Sequence, residues 1–513
     1  MAGCCSLPLW PVPQALNDPL LVVTEVVAGL NAPTTMAFIG ADDILVLQKN
    51  DGQVRRVVAG VLQPTPVLDV AMDGNSERGL LGIAVHPVFP SVPWIYLYYT
   101  ESSTGTDTFG SPEPLGNRVY RYRWDGNALV EPALLLDLPV IPGPNHNGGI
   151  LTFGPAGKFY VVIGDLNRDG QLQNVPDGTA PDDTSVIIRL NDDGTIPSDN
   201  PFFSFGGNSA KYYAYGIRNS FGLAFDPVTH KLWMTENGPD TYDEINLVDP
   251  GFNSGWVQIL GPIARSPRGT DSLFQLPGSH YADPKFSWFH PVGPTALVFL
   301  NSKHLGAQYE NDMFVGDVNS GNLYHFKLSP ARDGLHLETP ELAADLVADP
   351  GDNMQEIVFG TGFGRRFAGI TDLKVGPDGR LYILSIQGTI FAVSQKPATL
   401  YGRVSDEATE AVLEGVSVTA WRADPAPVVH VNTSTDASGV YTLSGLSPGR
   451  YGVSLSGASG VYTLSGLSPG RYGVSLSGNG YRRGVRIIEL PPGEVIPLNV
   501  QLSPRKVPPW ASH

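Results

Sequence analysis

Short apolar runs separated by turn residues recur along most of the chain. In the segments 151–162 and 373–384, an apolar run, a turn that begins with Gly-Pro and a second apolar run follow one another. Gly-Pro and Asp-Gly steps between such runs are typical of β-hairpins. The unit occurs six times between residues 35 and 394. Related runs predict further strands at residues 44–47, 95–98, 232–235 and 313–316.

The spacing of this unit indicates a particular all-β architecture. A repeat of about 70 residues with three or four strands matches one propeller blade with long loops. A two-sheet sandwich would leave the six copies of one unit unexplained. The pattern therefore predicts an all-β, six-bladed β-propeller over residues 20–396, preceded by an N-terminal tail over residues 1–19.

Beyond the propeller region the pattern changes to strict alternation of apolar and polar residues. Period-two alternation is typical of half-buried strands, and it predicts a small β-sandwich over residues 397–504, followed by a tail over residues 505–513. Residues 437–457 are repeated letter for letter at residues 458–478. One sandwich needs one copy of this hairpin, so we expect the second copy to extend a sheet edge or to compete for the same position.

Composition and charge narrow the classes of function. The chain has 59 glycines, 45 prolines and 16% charged residues, which favours strands and tight turns over long helices. A formal net charge of -17 argues against a nucleic-acid partner, because such proteins need a basic surface. No apolar run is long enough to span a bilayer.

The N-terminal sequence contains the only two cysteines, Cys4 and Cys5, so no disulfide framework is expected. It lacks the charged and apolar regions of a signal peptide. Ala2-Gly3-Cys4 resembles the end of a lipoprotein cleavage site, as if the true start lay upstream, and an ordinary N-terminal tail is the alternative.

Four stretches of sequence carry a family resemblance. They are Glu77 to Pro87, Asn145 to Gly149, Tyr215 to Gly222, and Glu236 to Pro239 together with Asp243 to Leu247. These stretches resemble the glucose/sorbosone dehydrogenase family, whose best-known members are soluble quinoproteins that use pyrroloquinoline quinone (PQQ). The resemblance covers residues 20–394 and implies an oxidoreductase located outside the cell or in the periplasm. The phrase from Gly439 to Val453 resembles the transthyretin-type, carboxypeptidase regulatory-like domain.

The resemblance implies a catalytic pair. His146 matches the family's proton-abstracting base, and imidazole can take a proton from a sugar hydroxyl near neutral pH. Asp165 matches the aspartate that orients this histidine, since a carboxylate bonded to an imidazole fixes its tautomer. A histidine that only caps a turn is the structural alternative for His146.

The resemblance also implies a cofactor site and a calcium site. Arg218 would stabilise negative charge on the quinone as hydride arrives, although a structural ion pair is the alternative. The residues implied to contact PQQ are Glu77, His146, Arg218, Asn219, Asn237, Gly238 and Asn319. The calcium ligands are expected to be the backbone carbonyls of Gly238 and Pro239, with the Glu244 carboxylate at a second, structural calcium.

The cofactor site departs from the family pattern where cations are expected. PQQ carries three carboxylates, and the well-studied enzymes face them with a lysine and two arginines. The aligned residues here are Asn319, Gly369 and Thr371, while Glu77 replaces a glutamine. Arg365 and Arg366, just upstream of Gly369, could compensate.

These features lead to one hypothesis and two rivals. The first is calcium- and PQQ-dependent oxidation of an aldose to its lactone, with an external electron acceptor. The second is a non-catalytic extracellular propeller that binds carbohydrate or protein and has lost the cofactor. A calcium-dependent lactonase is the third, but its multi-carboxylate metal site has no obvious counterpart. The C-terminal domain is expected to contact carbohydrate or a cell surface, or to act as a spacer.

Overall fold

The computed structural model of the chain describes residues 15–363 and 369–396, together with ten strands between residues 398 and 502. The residue contacts divide the chain into two compact units, built mainly on residues 23–303 with 307–393 and on residues 394–513. Arg365 and Arg366 lie outside the described residues.

The first part of the chain forms short strands almost throughout. In chain order they begin with β1 (Ala15–Leu16), β2 (Leu21–Val27), β3 (Pro33–Gly40), β4 (Asp43–Gln48), β5 (Gln53–Val58), β6 (Val61–Leu62), β7 (Leu68–Asp69), β8 (Leu80–Val85), β9 (Trp94–Glu101), β10 (Gly116–Trp124), β11 (Leu129–Leu138), β12 (Leu151–Phe153), β13 (Phe159–Ile163), β14 (Val186–Leu190) and β15 (Tyr212–Tyr215). They continue with β16 (Gly222–Phe225), β17 (Leu232–Glu236), β18 (Asp243–Val248), β19 (Phe252–Asn253), β20 (His280–Tyr281), β21 (Phe286–Trp288), β22 (Pro294–Phe299), β23 (Met313–Asp317), β24 (Leu323–Leu328), β25 (Leu335–His336), β26 (Val347–Ala348), β27 (Val358–Thr361), β28 (Ile370–Val375), β29 (Leu381–Ser385) and β30 (Thr389–Gln395).

Helical structure among the described residues is confined to short segments. The α-helix α1 (Pro340–Asp345) is six residues long. The 3₁₀ turns are Gln171–Gln173, Phe203–Phe205, Gly207–Lys211, Ile263–Arg265, Thr270–Ser272 and Ala307–Tyr309. No helix in the described part of the chain has the length and apolar character needed to cross a membrane.

Strands β1 to β30 form six sheets among the described residues. Sheet 1 contains β3 to β7 and sheet 2 contains β8 to β11. Sheet 3 contains β12 to β15 with β19 and β20, and sheet 4 contains β16 to β18 with β21 and β26. Sheet 5 contains β22 to β25 with β27 and β1, and sheet 6 contains β28 to β30 with β2. The N-terminal strands β1 and β2 thus complete sheets 5 and 6, the last two of these six sheets in chain order.

The sheets are arranged around a common centre. The strands β3, β8, β12, β16, β22 and β28 each contact the next one in this series, and β28 contacts β3 again. Residues from all six sheets or from their adjoining loops line a central cavity of about 260 Å³. The prediction of an all-β, propeller-like fold is therefore confirmed.

Local chemistry explains the hairpins of this fold. Gly157 adopts a φ of +70° and its N–H donates to the Gly154 carbonyl at 2.9 Å, which closes the turn between β12 and β13. Gly379 does the same at the turn between β28 and β29, with a φ of +82°. A glycine is favoured at such positions because a side chain is strained there.

The cores lie between neighbouring sheets. Strand β13 is buried along its whole length, because its two faces pack against different sheets. One apolar cluster joins sheets 2 and 3 and includes Tyr96 and Phe159. Another joins sheets 3 and 4 and includes Val162 and Met234. This packing holds the strand ends around the central cavity in place.

The C-terminal strands form two further sheets. In chain order the strands are β31 (Ala398–Asp406), β32 (Ser417–Asp424), β33 (His430–Ser434), β34 (Thr442–Leu443), β35 (Arg450–Ser456), β36 (Gly460–Leu467), β37 (Gly470–Leu476), β38 (Gly484–Leu490), β39 (Val495–Pro497) and β40 (Val500–Leu502). One sheet has the order β34-β36-β31-β39, with β40 also paired to β31, and the other has the order β33-β32-β35-β37-β38.

Both copies of the 21-residue repeat contribute strands to both sheets. Strands β35 and β37 pair in parallel with equivalent residues opposite each other, as in Gly452 opposite Gly473. Strands β34 and β36 pair in the same way. The expectation that the second copy extends an edge is wrong for these strands, since β36 and β37 are internal and β34, from the first copy, lies at an edge.

Candidate active site

His146 lies in the loop that joins β11 to β12. Its φ of +61° is left-handed, a conformation in which histidine is tolerated better than most residues. Its N–H donates to Glu77 Oε2 at 2.7 Å, and the residue is only 7% exposed. The loop therefore holds a buried imidazole at a fixed place beside the central cavity, which Glu77 lines.

Asp165 follows β13 and contacts the imidazole directly. Asp165 Oδ1 lies 2.6 Å from His146 Nδ1, and the carboxylate is buried. Because an ionised carboxylate only accepts hydrogen bonds, the proton of a neutral imidazole is assigned to Nδ1. The lone pair is then on Nε2, which is the arrangement a general base requires.

Two further donors hold the Asp165 carboxylate. The backbone N–H of Asn167 donates to Oδ1 at 2.7 Å, and the indole Nε1 of Trp256 donates to Oδ2 at 2.7 Å. The Asp165 N–H donates to the Arg218 carbonyl at 2.9 Å. Both carboxylate oxygens are thus hydrogen-bonded, and the backbone of Asp165 is tied to the next predicted site residue.

Arg218 lies between β15 and β16, where the chain passes from sheet 3 to sheet 4. Its N–H donates to Glu236 Oε1 at 2.7 Å, and Nη1 donates to the Asn237 carbonyl at 2.8 Å. The guanidinium carbon lies 5.3 Å from the centre of the Trp256 ring, within the range of a cation–π contact. Its buried Nε has no hydrogen-bond partner in the described structure.

Glu77 and Asn219 join the two halves of this arrangement. Asn219 Nδ2 donates to Glu77 Oε2 at 2.9 Å, and this oxygen also accepts the His146 N–H. Asn219 Oδ1 accepts the Gly148 N–H at 3.3 Å. Glu77, which is predicted to contact the cofactor, lies in the loop before β8 and anchors the loop that carries the histidine.

The predicted calcium loop follows β17. Gly238 donates its N–H to Asp243 Oδ1 at 2.8 Å, and Pro239 is exposed. A Cβ on Gly238 would lie 2.3 Å from the Thr241 carbonyl oxygen, so the turn has no room for a side chain. Asn237 Nδ2 donates to a backbone carbonyl at 3.2 Å, whereas its buried Oδ1 has no partner in the described structure.

Glu244 belongs to a buried carboxylate pair. It lies opposite Glu236 in the pairing of β17 with β18. Its Oε1 accepts the Gly261 N–H at 2.8 Å, and its Oε2 accepts Asn246 Nδ2 at 2.9 Å. Burial raises the pKa of both Glu236 and Glu244, and the charge of Glu244 raises that of Glu236 further. The described residues contain no group of three or more His, Cys, Asp or Glu side chains arranged to hold a metal ion.

The positions that lack the expected cations lie in sheets 5 and 6. Asn319 Nδ2 donates to the Pro291 carbonyl at 3.3 Å, and the Thr371 hydroxyl donates to the Pro33 carbonyl at 3.0 Å. A Cβ on Gly369 would lie 2.5 Å from the Asp317 carbonyl oxygen. An arginine cannot stand at residue 369 without moving the backbone.

Lys49, which sequence reasoning missed, supplies a cation at the central cavity. It lines the cavity together with Glu77 and Thr371. Its ammonium group donates to Asn50 Oδ1 at 3.0 Å and to the Gly74 carbonyl at 3.3 Å. Burial lowers the pKa of Lys49 to about 8, against the opposing effect of the Glu77 and Asp73 carboxylates.

The structure brings part of the predicted site together. His146 and Asp165 are in direct contact, and Arg218, Asn219, Asn237 and Glu77 are linked to them through the hydrogen bonds described above. Trp256, which contacts both Asp165 and Arg218, was missed. In the sequence, Trp256 follows the turn-forming residues Asn253-Ser254-Gly255, which predicts a loop but not a contact with Asp165 or Arg218. The assignments of cofactor and calcium ligands stay predictions.

Comparison with known proteins agrees with these features. The family described as glucose / sorbosone dehydrogenase matches residues 30–391, and the carboxypeptidase regulatory-like domain matches residues 399–458. The chain is 33% identical over 409 residues to quinoprotein glucose dehydrogenase B of Acinetobacter calcoaceticus, covering 66% of this chain and 84% of the relative. It is 26% identical over 407 residues to aldose sugar dehydrogenase YliI of Escherichia coli strain K12, covering 77% of this chain and 96% of the relative.

A solved structure shares the fold of the first unit. It is a putative oxidoreductase (glucose dehydrogenase) from Thermus thermophilus, which is 28% identical and covers 73% of this chain and 99% of its own, with a TM-score of 0.56. The family match spans well over half of the chain, and the quinoprotein relative is aligned over most of its own length. The chain belongs to the glucose / sorbosone dehydrogenase family and carries a carboxypeptidase regulatory-like domain.

Proposed function

We propose that the protein oxidises an aldose sugar at its anomeric carbon to the lactone, with PQQ as the hydride acceptor and calcium as an additional ion. The observation that carries the proposal is the 2.6 Å contact between His146 and Asp165. The backbone carbonyl of Arg218 accepts the Asp165 N–H, and the Arg218 guanidinium lies over the Trp256 ring that donates to Asp165. The family's members among the matched relatives include a quinoprotein and an aldose sugar dehydrogenase by name, which supports the choice of cofactor and substrate class.

The residues of this chain would handle the proton and the developing charge. His146 Nε2 would accept the proton of the anomeric hydroxyl, while Asp165 holds the ring and stabilises the imidazolium that forms. When bound, PQQ supplies the electrophilic carbon that accepts the hydride. Arg218 would keep a positive charge next to the site where negative charge develops.

Two buried atoms favour a ligand at this place. Arg218 Nε is a donor and Asn237 Oδ1 is an acceptor, and neither has a partner among the described residues. Such buried unpaired groups are rare in folded proteins, because each forfeits the hydrogen bond that it makes in water. A ligand that offers both acceptor oxygens and a donor N–H, as PQQ does, would satisfy both atoms.

The charge of the site fits PQQ less completely. Arg218 and Lys49 are the cations that the described residues place at the site, and the Glu77 carboxylate next to Lys49 offsets one of them. Each missing charge-assisted contact weakens binding by about 1.5–3 kcal/mol. Binding is therefore expected to be weaker than in an enzyme with a full set of cations, and to depend on calcium at the Gly238 and Pro239 carbonyls.

A second candidate is a binding propeller without catalysis. The observation that favours it is the absence of room for a side chain at Gly369, together with the neutral side chains of Asn319 and Thr371. In this case the central cavity would hold a neutral carbohydrate or an extracellular protein segment, and His146 would only stabilise its loop.

Titration of the apoprotein with PQQ, with calcium or with a chelator, separates the two candidates. Sugar dehydrogenation is expected when PQQ and calcium are both present, measured with an artificial electron acceptor and a panel of aldoses. Saturation at nanomolar PQQ in the chelator would contradict the role of calcium and the cation count. The absence of binding at millimolar PQQ with calcium present would replace the dehydrogenase by the binding propeller.

A further inference from the structure

One side chain joins the predicted base to the predicted cation. The indole Nε1 of Trp256 donates to Asp165 Oδ2 at 2.7 Å, while the Arg218 guanidinium carbon lies 5.3 Å from the centre of the same ring. His146 lies in the loop between sheets 2 and 3, and Arg218 lies in the loop between sheets 3 and 4. The Trp256 side chain contacts both Asp165, the partner of the predicted base His146, and Arg218, the predicted cation.

The position of Trp256 is itself well determined. Its N–H donates to the Gly216 carbonyl at 3.1 Å, and its carbonyl accepts Asn174 Nδ2 at 2.8 Å. Asn174 and Asn253 exchange two side-chain hydrogen bonds, each 2.8 Å long. The loop that carries the indole is therefore held by backbone and amide contacts that do not involve Asp165.

The hydrogen bond to Asp165 constrains the orientation of the carboxylate. His146 and the Asn167 N–H both occupy Oδ1, so the opposite oxygen depends on the indole. Asp165 is only 2% exposed, and an Oδ2 atom without its donor would be a buried acceptor that rotation or local opening must satisfy. Either movement would displace Oδ1 from the imidazole.

The stacking contact constrains Arg218 in a comparable way. Nη1 is hydrogen-bonded to the Asn237 carbonyl, and the ring of Trp256 covers the guanidinium. A cation over an aromatic face is attracted to it, most strongly when water is excluded. The hydrogen bond alone would let the guanidinium rotate about Nη1. The contact with the ring restricts this rotation.

We propose that Trp256 is a positioning residue that holds Asp165, and through it the His146 imidazole, in register with Arg218. This inference rests on the proposed function, in which His146 is the base that accepts the proton of the sugar hydroxyl. Two side chains contact the imidazole at Nδ1: the Asp165 carboxylate at 2.6 Å and the Asn167 amide, whose Nδ2 lies at 3.5 Å. The Glu77 carboxylate accepts the backbone N–H of the same histidine.

The test compares Trp256→Phe, which keeps an aromatic face but removes the N–H donor, with Trp256→Leu, which removes both. Trp94→Phe is the matched control, because Trp94 also stacks with an arginine, Arg121, at 4.6 Å, but lies in sheet 2 away from the site. For Trp256→Phe we expect kcat to fall about 10- to 100-fold with little change in KM, as for the loss of an outer partner of a functional group. Trp256→Leu should in addition raise KM, and Trp94→Phe should change neither.

A spectroscopic measurement on the apoprotein tests the same contact without cofactor or sugar. With ¹⁵N-labelled histidine, and His146→Asn used to assign the signals, the His146 nitrogens should show a single Nδ1–H tautomer. Trp256→Phe should convert this to a mixture of tautomers, and Trp94→Phe should not. If Trp256→Phe changes the tautomers in this way but neither the native protein nor any variant oxidises sugar, the positioning role is supported and the proposed function is rejected.

Unchanged His146 signals in Trp256→Phe would overturn the proposal, whatever the activity. If that variant does not fold, Asp165→Asn keeps the proposal testable through the indole N–H of Trp256. We expect this proton to exchange slowly with solvent in the native protein and faster in Asp165→Asn. Equal exchange in the two proteins would also overturn the proposal.

Discussion

The two sides of the central cavity differ in how their side chains are held. Around sheets 3 and 4, His146, Asp165 and Arg218 are each tied to a neighbour by hydrogen bonds of 2.6–2.9 Å. Around sheets 5 and 6, the positions where the family resemblance implies cations are occupied by small neutral residues such as Gly369 and Thr371. The first side holds its charged residues by hydrogen bonds, whereas the described residues at these positions on the second side carry no positive charge.

The two groups of residues differ in what the loss of one member would do to function. A base, its orienting carboxylate and a nearby cation act together, so the loss of one makes the others ineffective. Cations that only hold a ligand contribute separately, and each loss weakens binding by a limited amount. The residues predicted to transfer the proton are therefore in direct contact, whereas the described residues at the positions expected to bind the cofactor carboxylates are neutral.

The largest expected effect comes from the base itself. His146→Asn should lower kcat by about 100-fold or more, because the group that accepts the hydroxyl proton is lost. Asparagine tolerates the left-handed backbone of this position, so the fold should persist. The control is His230→Asn, since His230 has the same φ of +61° but is exposed in a turn. Normal turnover in His146→Asn would remove this residue from the mechanism.

A somewhat smaller loss is expected when the orienting carboxylate is changed. Asp165→Asn should reduce kcat by about 10- to 100-fold, because the amide no longer fixes the Nδ1–H tautomer. The chain contains a matched control in sheet 5, where His325 Nε2 lies 2.9 Å from Asp312 Oδ2. Asp312→Asn breaks this second pair and should leave turnover unchanged. Equal losses in the two variants would indicate a general effect on stability.

Restoring a cation on the neutral side should sharpen the comparison. Asn319→Lys adds a charge where the family carries one, and it should tighten PQQ binding by about 10- to 100-fold, the equivalent of one charge-assisted contact. Asn319→Gln, which adds length without charge, is the control. The measurement is a PQQ titration of the apoprotein at constant calcium. If both variants bind like the native protein, residue 319 does not face the ligand.

The smallest effect concerns Lys49, the cation that lines the central cavity. Its pKa is lowered to about 8 by burial, from an ordinary value of 10.5. Between these values the unfolded chain binds more protons than the folded one, so the free energy of unfolding should rise with pH. The stability cost of burying Lys49 is therefore largest below about pH 8, and it falls as the pH rises from 8 to 10.5, the range in which the folded protein has lost the lysine proton and the unfolded chain still holds it.

Urea unfolding at pH 7.5 and pH 9.5 checks this sign. The native protein should gain stability relative to Lys49→Met at the higher pH, by at most about 1.4 kcal/mol for each pH unit in the window. Lys303→Met, at an exposed position, is the control. The difference in the free energy of unfolding between the native protein and this variant should be the same at both pH values. A gain at the lower pH would mean that the Glu77 and Asp73 carboxylates outweigh burial.

Local sequence patterns are enough to predict the strands and the repeated hairpin unit, and short motifs are enough to identify His146 and Asp165. Strand positions follow from alternation and turn residues within a few positions of each other, which is local information. The predicted runs at 95–98 and 313–316 lie inside β9 (Trp94–Glu101) and β23 (Met313–Asp317). His146 and Asp165 were found because each is part of a short motif that resembles the family.

The contacts of Trp256, Lys49 and Gly369 could not be predicted without the tertiary structure. Trp256 is 91 residues from Asp165 in the sequence, and no local pattern predicts a hydrogen bond between them. Lys49 follows β4 in an ordinary turn, and only the closure of the sheets places it at the central cavity. Gly369 looks like any loop glycine until the backbone of Asp317 and Gly321 is packed against it. These properties depend on contacts between distant segments, and such contacts form only when the sheets close around one centre.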